Sequence, residues 1–280
     1  MNQWKKGIAH WRVGNTLYIS VPFTWLMADA EALATEYPNL KTLIGGPGTG
    51  QPSQLPEFTP LIHHNPLATF TTRGCPNGCR YCAVPKIEPE FYEVKDFRPA
   101  PVICDNNLLA ATRKHIVKVI DASKRFRFVD FNQGLEAGRW TADLARLFGQ
   151  LKCKIRFSLD RPGDADKVIR AIEMTRKHTT KDIGIYVLVG FEDNISQAVE
   201  KLELIRSWGI RPTPMRFQKL DAKKKNELCE GWEERDMLDL MKYYSRLRYL
   251  EKWSFSEWRD YYCNIRTSGQ IEMDLTHHEK

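Results

Sequence analysis

Three cysteines stand in one short turn: Cys75, Cys79 and Cys82, within Thr-Thr-Arg-Gly-Cys-Pro-Asn-Gly-Cys-Arg-Tyr-Cys. The spacing is C-x3-C-x2-C. Three thiolates this close read as ligands of a metal or an iron–sulfur centre. Three ligands leave one valence of a bound metal open, and an open valence is where chemistry happens. A structural zinc commonly takes four ligands from two CxxC pairs, and no second pair occurs in this chain. Cys104, His63 or His64 would have to complete a tetrahedron from a distance. Iron–sulfur clusters usually take four thiolates, so three would leave one iron open to substrate or cofactor. Zinc and iron–sulfur both stand on these residues alone.

The loop suits a cluster. Gly74 and Gly78 permit unusual backbone conformations and close approach, and their amides are placed to donate to sulfur. Tyr81 offers an aromatic wall. Arg73 and Arg80 either offset cluster charge or are simply exposed. The other cysteines, Cys104, Cys153, Cys229 and Cys263, are scattered singly and read as ordinary core or surface thiols.

Positioning such a loop takes a scaffold, and the chain from residue 67 supplies a regular one. Apolar, β-prone runs recur at Leu67–Thr72, Pro101–Cys104, Phe126–Phe131, Ile155–Leu159, Ile183–Val189 and Pro214–Gln218. Helical patterns lie between them. Ile195, Ala198, Val199, Leu202 and Ile205 share one helix face, with Asn194 placed to cap its start and Gly209 its end. Leu144, Leu147, Phe148 and Leu151 follow Thr141; Val168, Ile169 and Ile172 follow Asp164. Leu108–Arg125 is a helix with Leu109, Ile116 and Ile120 inward. Six strands alternating with helices predict an α/β protein with a parallel sheet, curled into a partial (β/α)6 barrel.

Three domains follow: residues 1–66, a small N-terminal α/β unit with a proline-rich linker at 51–66; 67–220, the partial barrel; and 221–280, a helical, aromatic-rich extension. The first unit reads as βαβ, with strands at Thr16–Val21 and Lys41–Ile44 and a helix at Trp25–Tyr37. The glycine-rich Gly45–Gly50 follows it. No Lys-Ser/Thr pair follows those glycines, so a plain turn is preferred to a phosphate cradle.

Active sites of parallel barrels lie at the C-terminal ends of the strands, and those ends are polar here. The cysteine loop follows strand one, Asp105, Asn106 and Asn107 follow strand two, and Asn132 and Gln133 follow strand three. Ser158 and Asp160 lie in and after strand four. Gly190 and Glu192 follow strand five, and Arg216 and Gln218 close strand six. For Asn106, Asp164 and Asn194 helix capping competes with a ligand role.

The motif, the aromatic before its third cysteine and its place after the first strand together resemble the radical S-adenosylmethionine superfamily over residues 67–218. That resemblance implies that Cys75, Cys79 and Cys82 hold a 4Fe-4S cluster whose open iron chelates S-adenosyl-L-methionine. Reductive cleavage would then give a 5′-deoxyadenosyl radical that abstracts hydrogen from substrate. It further implies that Tyr81 meets the adenine through its backbone and that Asn107 and Gln133 meet the methionine end. Ser158 and Asp160 would meet the ribose, and Val189 and Gly190 would flank the adenine. A reductant such as flavodoxin or ferredoxin would supply electrons.

The chain also departs from the family pattern. Cys104-Asp105-Asn106-Asn107 replaces the frequent Gly-Gly-Glu after strand two. The layout, with a βαβ piece in front, is similar to the branch of methylthiotransferases and cobalamin-type enzymes. Yet the cobalamin signature Asp-x-His-x-x-Gly is absent, and residues 1–74 hold no cysteine for a second cluster.

The remaining signals bound the setting. A net charge of +7 and a pI near 9.0 tilt toward a nucleic acid or nucleotide substrate. Lys124 to Arg127 and Lys223-Lys224-Lys225 read as solvated charge, and Phe126 and Phe128 as strand core. Tyr243, Tyr244, Trp253, Trp258, Tyr261 and Tyr262 read as packing aromatics. His63-His64 and His277-His278 read as surface pairs. No run approaches the ~18 apolar residues of a spanning helix and no signal peptide is evident at Met1–Arg12, so a cytoplasmic protein without membrane contact is expected. Two non-enzymatic alternatives accompany the radical enzyme: a zinc or electron-carrier cysteine site, and a nucleic-acid-binding module.

Overall fold

The computed structural model describes residues 4–50, 55, 59–178 and 183–267, the last five as backbone. Most of the expected linker (51–54 and 56–58), the His277-His278 pair and the Cys263 side chain therefore lie outside the described residues.

The chain opens with a three-stranded sheet. β1 (Ala9–Val13) pairs antiparallel with β2 (Thr16–Ser20). β2 continues through α1 (Met27–Thr35) to β3 (Lys41–Gly45), which lies parallel to it. The βαβ expectation is met, and β1 is additional. Its turn is the two-residue Gly14-Asn15, with Gly14 at φ +58°, a hairpin signal of the favoured type. Leu17, Ile19, Val21 and Ala30 form a separate small core here.

The glycine turn after β3 folds back on β2. A Cβ at Gly46 would lie 2.7 Å from the Val21 carbonyl oxygen, and one at Gly48 would lie 2.6 Å from Phe23 backbone. The glycines thus serve close packing. The Gly48, Thr49 and Gly50 amides bond back to Val21, Gly46 and Pro47, which agrees with a plain turn.

After α2 (Thr59–His64) the six-stranded parallel sheet begins with β4 (Ala68–Thr69). β5 (Thr72–Arg73) leads into the cysteine loop and α3 (Val84–Ile87), and pairs antiparallel with β6 (Tyr92–Glu93). The sheet continues with β7 (Val102–Ile103), α4 (Arg113–Ser123), β8 (Val129–Phe131), α5 (Ala142–Phe148) and β9 (Cys153–Ser158). It ends with α6 (Ala165–Arg176), β10 (Ile183–Val189), α7 (Ile195–Ser207) and β11 (Pro212–Arg216). Spatial order follows chain order, β4-β7-β8-β9-β10-β11, and every pairing is parallel. The protein is thus mixed α/β with a six-stranded parallel sheet.

Local signals placed the helices. Thr112 and Thr141 accept N-cap bonds from His115 and Leu144. Asn194 and Gln197 form a reciprocal capping box. Asp164 makes no cap bond and instead pairs with Arg161 and Lys167. Gly209, at φ +69°, follows the end of α7. The run Leu67–Thr72 is divided between β4 and β5, the expected helix Leu108–Arg125 is a short turn at Leu108–Ala110 followed by α4, and two further strand positions differ from expectation. β8 starts at Val129, so Phe126 and Phe128 precede it. β11 lies two residues early and takes in Pro212 and Pro214. It is an edge strand, where outward N–H groups have no partner to lose.

Along β9 and β10 burial alternates. Cys153, Ile155, Phe157, Ile185, Val187 and Val189 pack into the core shared with the helices. Arg156, Ser158 and Tyr186 point to the opposite face. α8 (Glu234–Ser245), α9 (Leu247–Lys252) and α10 (Phe255–Thr267) close the described chain. Tyr243, Tyr244 and Trp258 are fully buried among them, which agrees with packing aromatics, while Tyr261 is half exposed. No helix of the described residues is long and apolar enough to cross a membrane.

Candidate functional site

The cysteine loop leaves β5 through Gly74, and only glycine fits there. Gly74 has φ +69°, and a Cβ would lie 1.9 Å from the Glu90 carbonyl oxygen. Gly78 has no positive φ and open space around it, so the special geometry expected of both glycines belongs to Gly74 alone. Glu88 fastens this corner. It pairs with Arg73, accepts the Gly74 N–H at 3.1 Å and accepts Asn106 Nδ2 at 2.8 Å. Asn106 makes no cap bond and gives its side-chain amide to Glu88.

One layer below, Asp105 holds the end of the first strand. Its carboxylate accepts the Thr71 hydroxyl and the Thr71 and Thr72 amides, the last at 2.9 Å. Burial pushes its pKa up to about 6, against the lowering effect of those bonds. His115 Nε2 meets the Thr71 carbonyl at 2.9 Å from below; burial lowers its pKa, against the raising effect of Glu93.

Asp105 yields a prediction of sign. With a folded pKa above the unfolded 3.8, the native state holds the extra proton between 3.8 and about 6. Its contribution to stability therefore falls as pH rises through that window. In Asp105→Asn the amide oxygen keeps both N–H bonds and the Thr71 hydroxyl turns to accept from the new NH2. Urea unfolding of that variant should show the pH 4–6 part of the wild-type slope gone and stability at pH 7.5 no lower than wild type. Asp105→Ala orphans two buried amides, at about 1–3 kcal/mol each. Equal destabilisation by both variants would contradict this account.

The three thiols are half-buried and free. Cys82 Sγ accepts the Val84 amide at 3.4 Å, and Cys75 Sγ accepts Asn107 Nδ2 at 3.4 Å. Burial first, then the charges of Cys79 and Cys75, raise the Cys82 pKa against the lowering Val84 bond. Among the described residues no group of three or more His, Cys, Asp or Glu converges on a metal-ion position. Convergence on a point is what a single ion demands; a cubane cluster takes each thiolate on a different iron. The fourth ligands weighed for zinc are engaged elsewhere. His63 stacks on Trp11 with centroids 4.2 Å apart, and His64 Nε2 lies 2.9 Å from Ser20 Oγ. Both histidines are thus built into the N-terminal unit and are not a loose surface pair; burial, then Lys5, lowers the pKa of each. Cys104 is buried, its pKa pushed up to about 12 by burial and by Asp105 and Asp130.

Of the polar residues expected at the site, Asn107 touches a cysteine. Its Nδ2 bridges Cys75 and Glu136 Oε2, the latter at 2.7 Å, while its buried Oδ1 has no partner. Glu136 also accepts Asn77 Nδ2 at 3.1 Å and Arg139 Nε at 2.8 Å. Burial raises its pKa, but these bonds outweigh burial and leave it lowered. Sequence reasoning missed Glu136. Its one signal is its place in the long segment after β8.

Tyr81 hydroxyl donates to Asp160 Oδ2 at 2.8 Å, and Asp160 Oδ1 accepts the Leu188 amide at 3.3 Å. Burial, then the Asp160 charge, raises the Tyr81 pKa. The cysteine loop is thereby tied across β9 and β10. Ser158 lies on the same face beneath Gly134, whose added Cβ would touch it at 3.6 Å. Gln133 is exposed. The Val189 side chain is in the core and Gly190 is covered by Cys229 and Met237, so only backbone from this pair is available to a ligand. Arg73 and Arg80 spend their charge on Glu88 and Glu192. Arg216 and Gln218 bind backbone of residues 226–227.

No family model, curated protein or solved structure matches the chain. The chemistry must be argued from its own residues. The donor set fits a cluster with one open iron: three soft thiolates, N–H groups of Val84 and Asn107 on sulfur, and a buried, unpartnered Asn107 Oδ1 beside Cys75.

The face of the sheet opposite the helices carries a second polar group that sequence reading passed over. Arg156 pairs with Asp130 and donates to the Phe131 carbonyl at 2.9 Å; Tyr186 hydroxyl donates to the Asn132 carbonyl at 3.0 Å.

Proposed function

We propose that the protein is a radical S-adenosylmethionine enzyme. The observation that carries the reading is the juxtaposition of Cys75 with the half-satisfied Asn107 amide, at the C-terminal end of the first two strands of a parallel sheet. In this reading Cys75, Cys79 and Cys82 hold the 4Fe-4S cluster. Bound there with S-adenosylmethionine, the cluster would supply reductive cleavage of the sulfonium and a 5′-deoxyadenosyl radical for hydrogen abstraction.

The remaining roles belong to the chain. Asn107 Oδ1 would accept a hydrogen bond from the cofactor's ammonium, a part that Gly-Gly-Glu plays in the resembling family, while Glu136 fixes the Asn107 amide in that orientation. Asp160, held by Tyr81 and Leu188, offers its carboxylate rim to the ribose, with Ser158 beside it. The partial (β/α)6 barrel belongs to the same reading. In a sheet curled that way Asp130, Arg156 and Tyr186, which lie together on the face opposite the helices, would line the substrate side. The setting is cytoplasmic, with a flavodoxin or ferredoxin as reductant and a nucleic acid or nucleotide as substrate.

The test is anaerobic reconstitution with iron and sulfide, then dithionite and S-adenosylmethionine. A brown protein absorbing near ~400 nm and forming 5′-deoxyadenosine is the expected result. Colourless protein holding one zinc would establish the non-enzymatic alternative, and a full cluster without 5′-deoxyadenosine would remove the radical mechanism.

A further inference from the structure

A cleft of about 950 Å³ opens between the N-terminal sheet and the segment around the cysteine loop. It lies where β2 and β3 end, at Pro22-Phe23 and Gly46-Pro47, and it reaches Phe70 and Arg73 near the end of β4. Ligands of open α/β sheets bind at such carboxyl ends. Arg73 is two residues before Cys75, so the cleft runs up to the base of the cysteine loop. Its third wall is the loop carrying Lys225, held in place where Thr24 donates to the Ala222 carbonyl.

The lining is mostly apolar, and its aromatics are open to solvent. Phe23 is 51% exposed and Trp4 38%. Phe23 stacks on Trp25, centroids 4.6 Å apart and planes within 5°, which holds its outer face flat and available. Beside these rings stand Lys5, Lys6 and Lys225, all exposed. Two carboxylates, Glu88 and Glu90, share the lining, and Glu88 is already neutralised by Arg73. A flat aromatic platform flanked by excess positive charge is complementary to a nucleobase joined to phosphate. The volume stands at the upper end of the ~300–1,000 Å³ of small-molecule sites, room for more than one nucleotide.

We propose that this cleft binds a segment of single-stranded nucleic acid, one base stacked on Phe23 with Trp4 alongside and the backbone phosphates on Lys5, Lys6 and Lys225. That the strand is the enzyme's substrate rests on the radical reading above; that it binds here does not.

The experiment is fluorescence anisotropy of the full chain with labelled ten-nucleotide strands of deoxythymidine and of uridine, from 50 to 200 mM salt. No reductant or S-adenosylmethionine is present, so failure to bind is separate from failure to form 5′-deoxyadenosine. Wild type should bind with an affinity that falls steeply with salt. Phe23→Ala should weaken binding about 5- to 150-fold, the worth of one base stack of ~1–3 kcal/mol. Lys5→Ala with Lys6→Ala should reduce the log–log salt slope by about 1.4, and Lys225→Ala, an exposed change that spares packing, by about 0.7. No binding at 50 mM salt, or binding unaltered in all three variants, would overturn the proposal. Uridine monophosphate competing as well as the ten-nucleotide strand would overturn the strand in favour of a free nucleotide.

Discussion

Replacing Cys75, Cys79 or Cys82 with alanine is expected to leave the reconstituted protein almost free of iron. The wild type should hold about four irons per chain, the content of one cubane cluster. In the radical reading each cysteine would supply one of three local ligands, and the alternatives weighed among the described residues are committed elsewhere. Cys104 lies buried, and His63 and His64 are engaged with Trp11 and Ser20. Iron content and absorbance near ~400 nm should fall together, and 5′-deoxyadenosine formation should vanish. Asn107→Leu should behave differently. It removes the N–H on Cys75 and the unpartnered Oδ1 but no ligand. Iron should remain, while S-adenosylmethionine affinity falls about 5- to 150-fold, the ~1–3 kcal/mol of one buried hydrogen bond left unmet. Full iron in any of the three alanine variants would show that the cysteines are not the ligands.

Lys201→Met should be the most damaging single substitution to stability. Lys201 Nζ lies 2.8 Å from Asp193 and 2.6 Å from the Leu188 carbonyl, and both side chains of the ion pair are less than a tenth exposed. Asp193 in turn accepts the Gly190 amide at 2.7 Å, and its carbonyl takes the Trp232 indole N–H at 2.6 Å. This cluster sets the loop after β10, beside the cysteine loop that Arg80 and Glu192 join to it at 2.7 Å. Breaking a buried pair from one side strands the other charge, at about 3–5 kcal/mol. For a chain of this size that corresponds to a loss of roughly 6–20 °C in Tm. Removing both charges together, Lys201→Met with Asp193→Asn, should recover most of the loss, because the Asn oxygen still accepts from Gly190. Calorimetry of the two variants decides: a single mutant melting within a few degrees of wild type, or a double mutant no better than the single, would contradict this account.

Much of the scaffold was legible in the sequence because its signals are local. Helix caps at Thr141 and Asn194 act within three residues, whereas the cap at Thr112 was passed over and its helix expected from Leu108. The alternation of Ile155 and Phe157 with Arg156 and Ser158 is a property of one strand. The cysteine spacing and the βα period are read without any knowledge of what lies opposite. β1 was passed over although Ala9, Trp11 and Val13 alternate with His10 and Arg12 as in a half-buried strand, and Gly14-Asn15 supplies the hairpin turn.

The contacts that shape the site were decided by tertiary structure alone. Glu88 holding Gly74, Glu136 reaching Asn77 and Asn107, Asp105 clamping Thr71 and Thr72, and Tyr81 bound to Asp160 join residues 14 to 79 positions apart. The cleft joins residues still farther apart, near 5, 23, 46, 73 and 225. The physical reason is that secondary structure depends on the energies of neighbours along the chain. Pairing between loops depends instead on where several strands end in space, and no short stretch of residues carries that information.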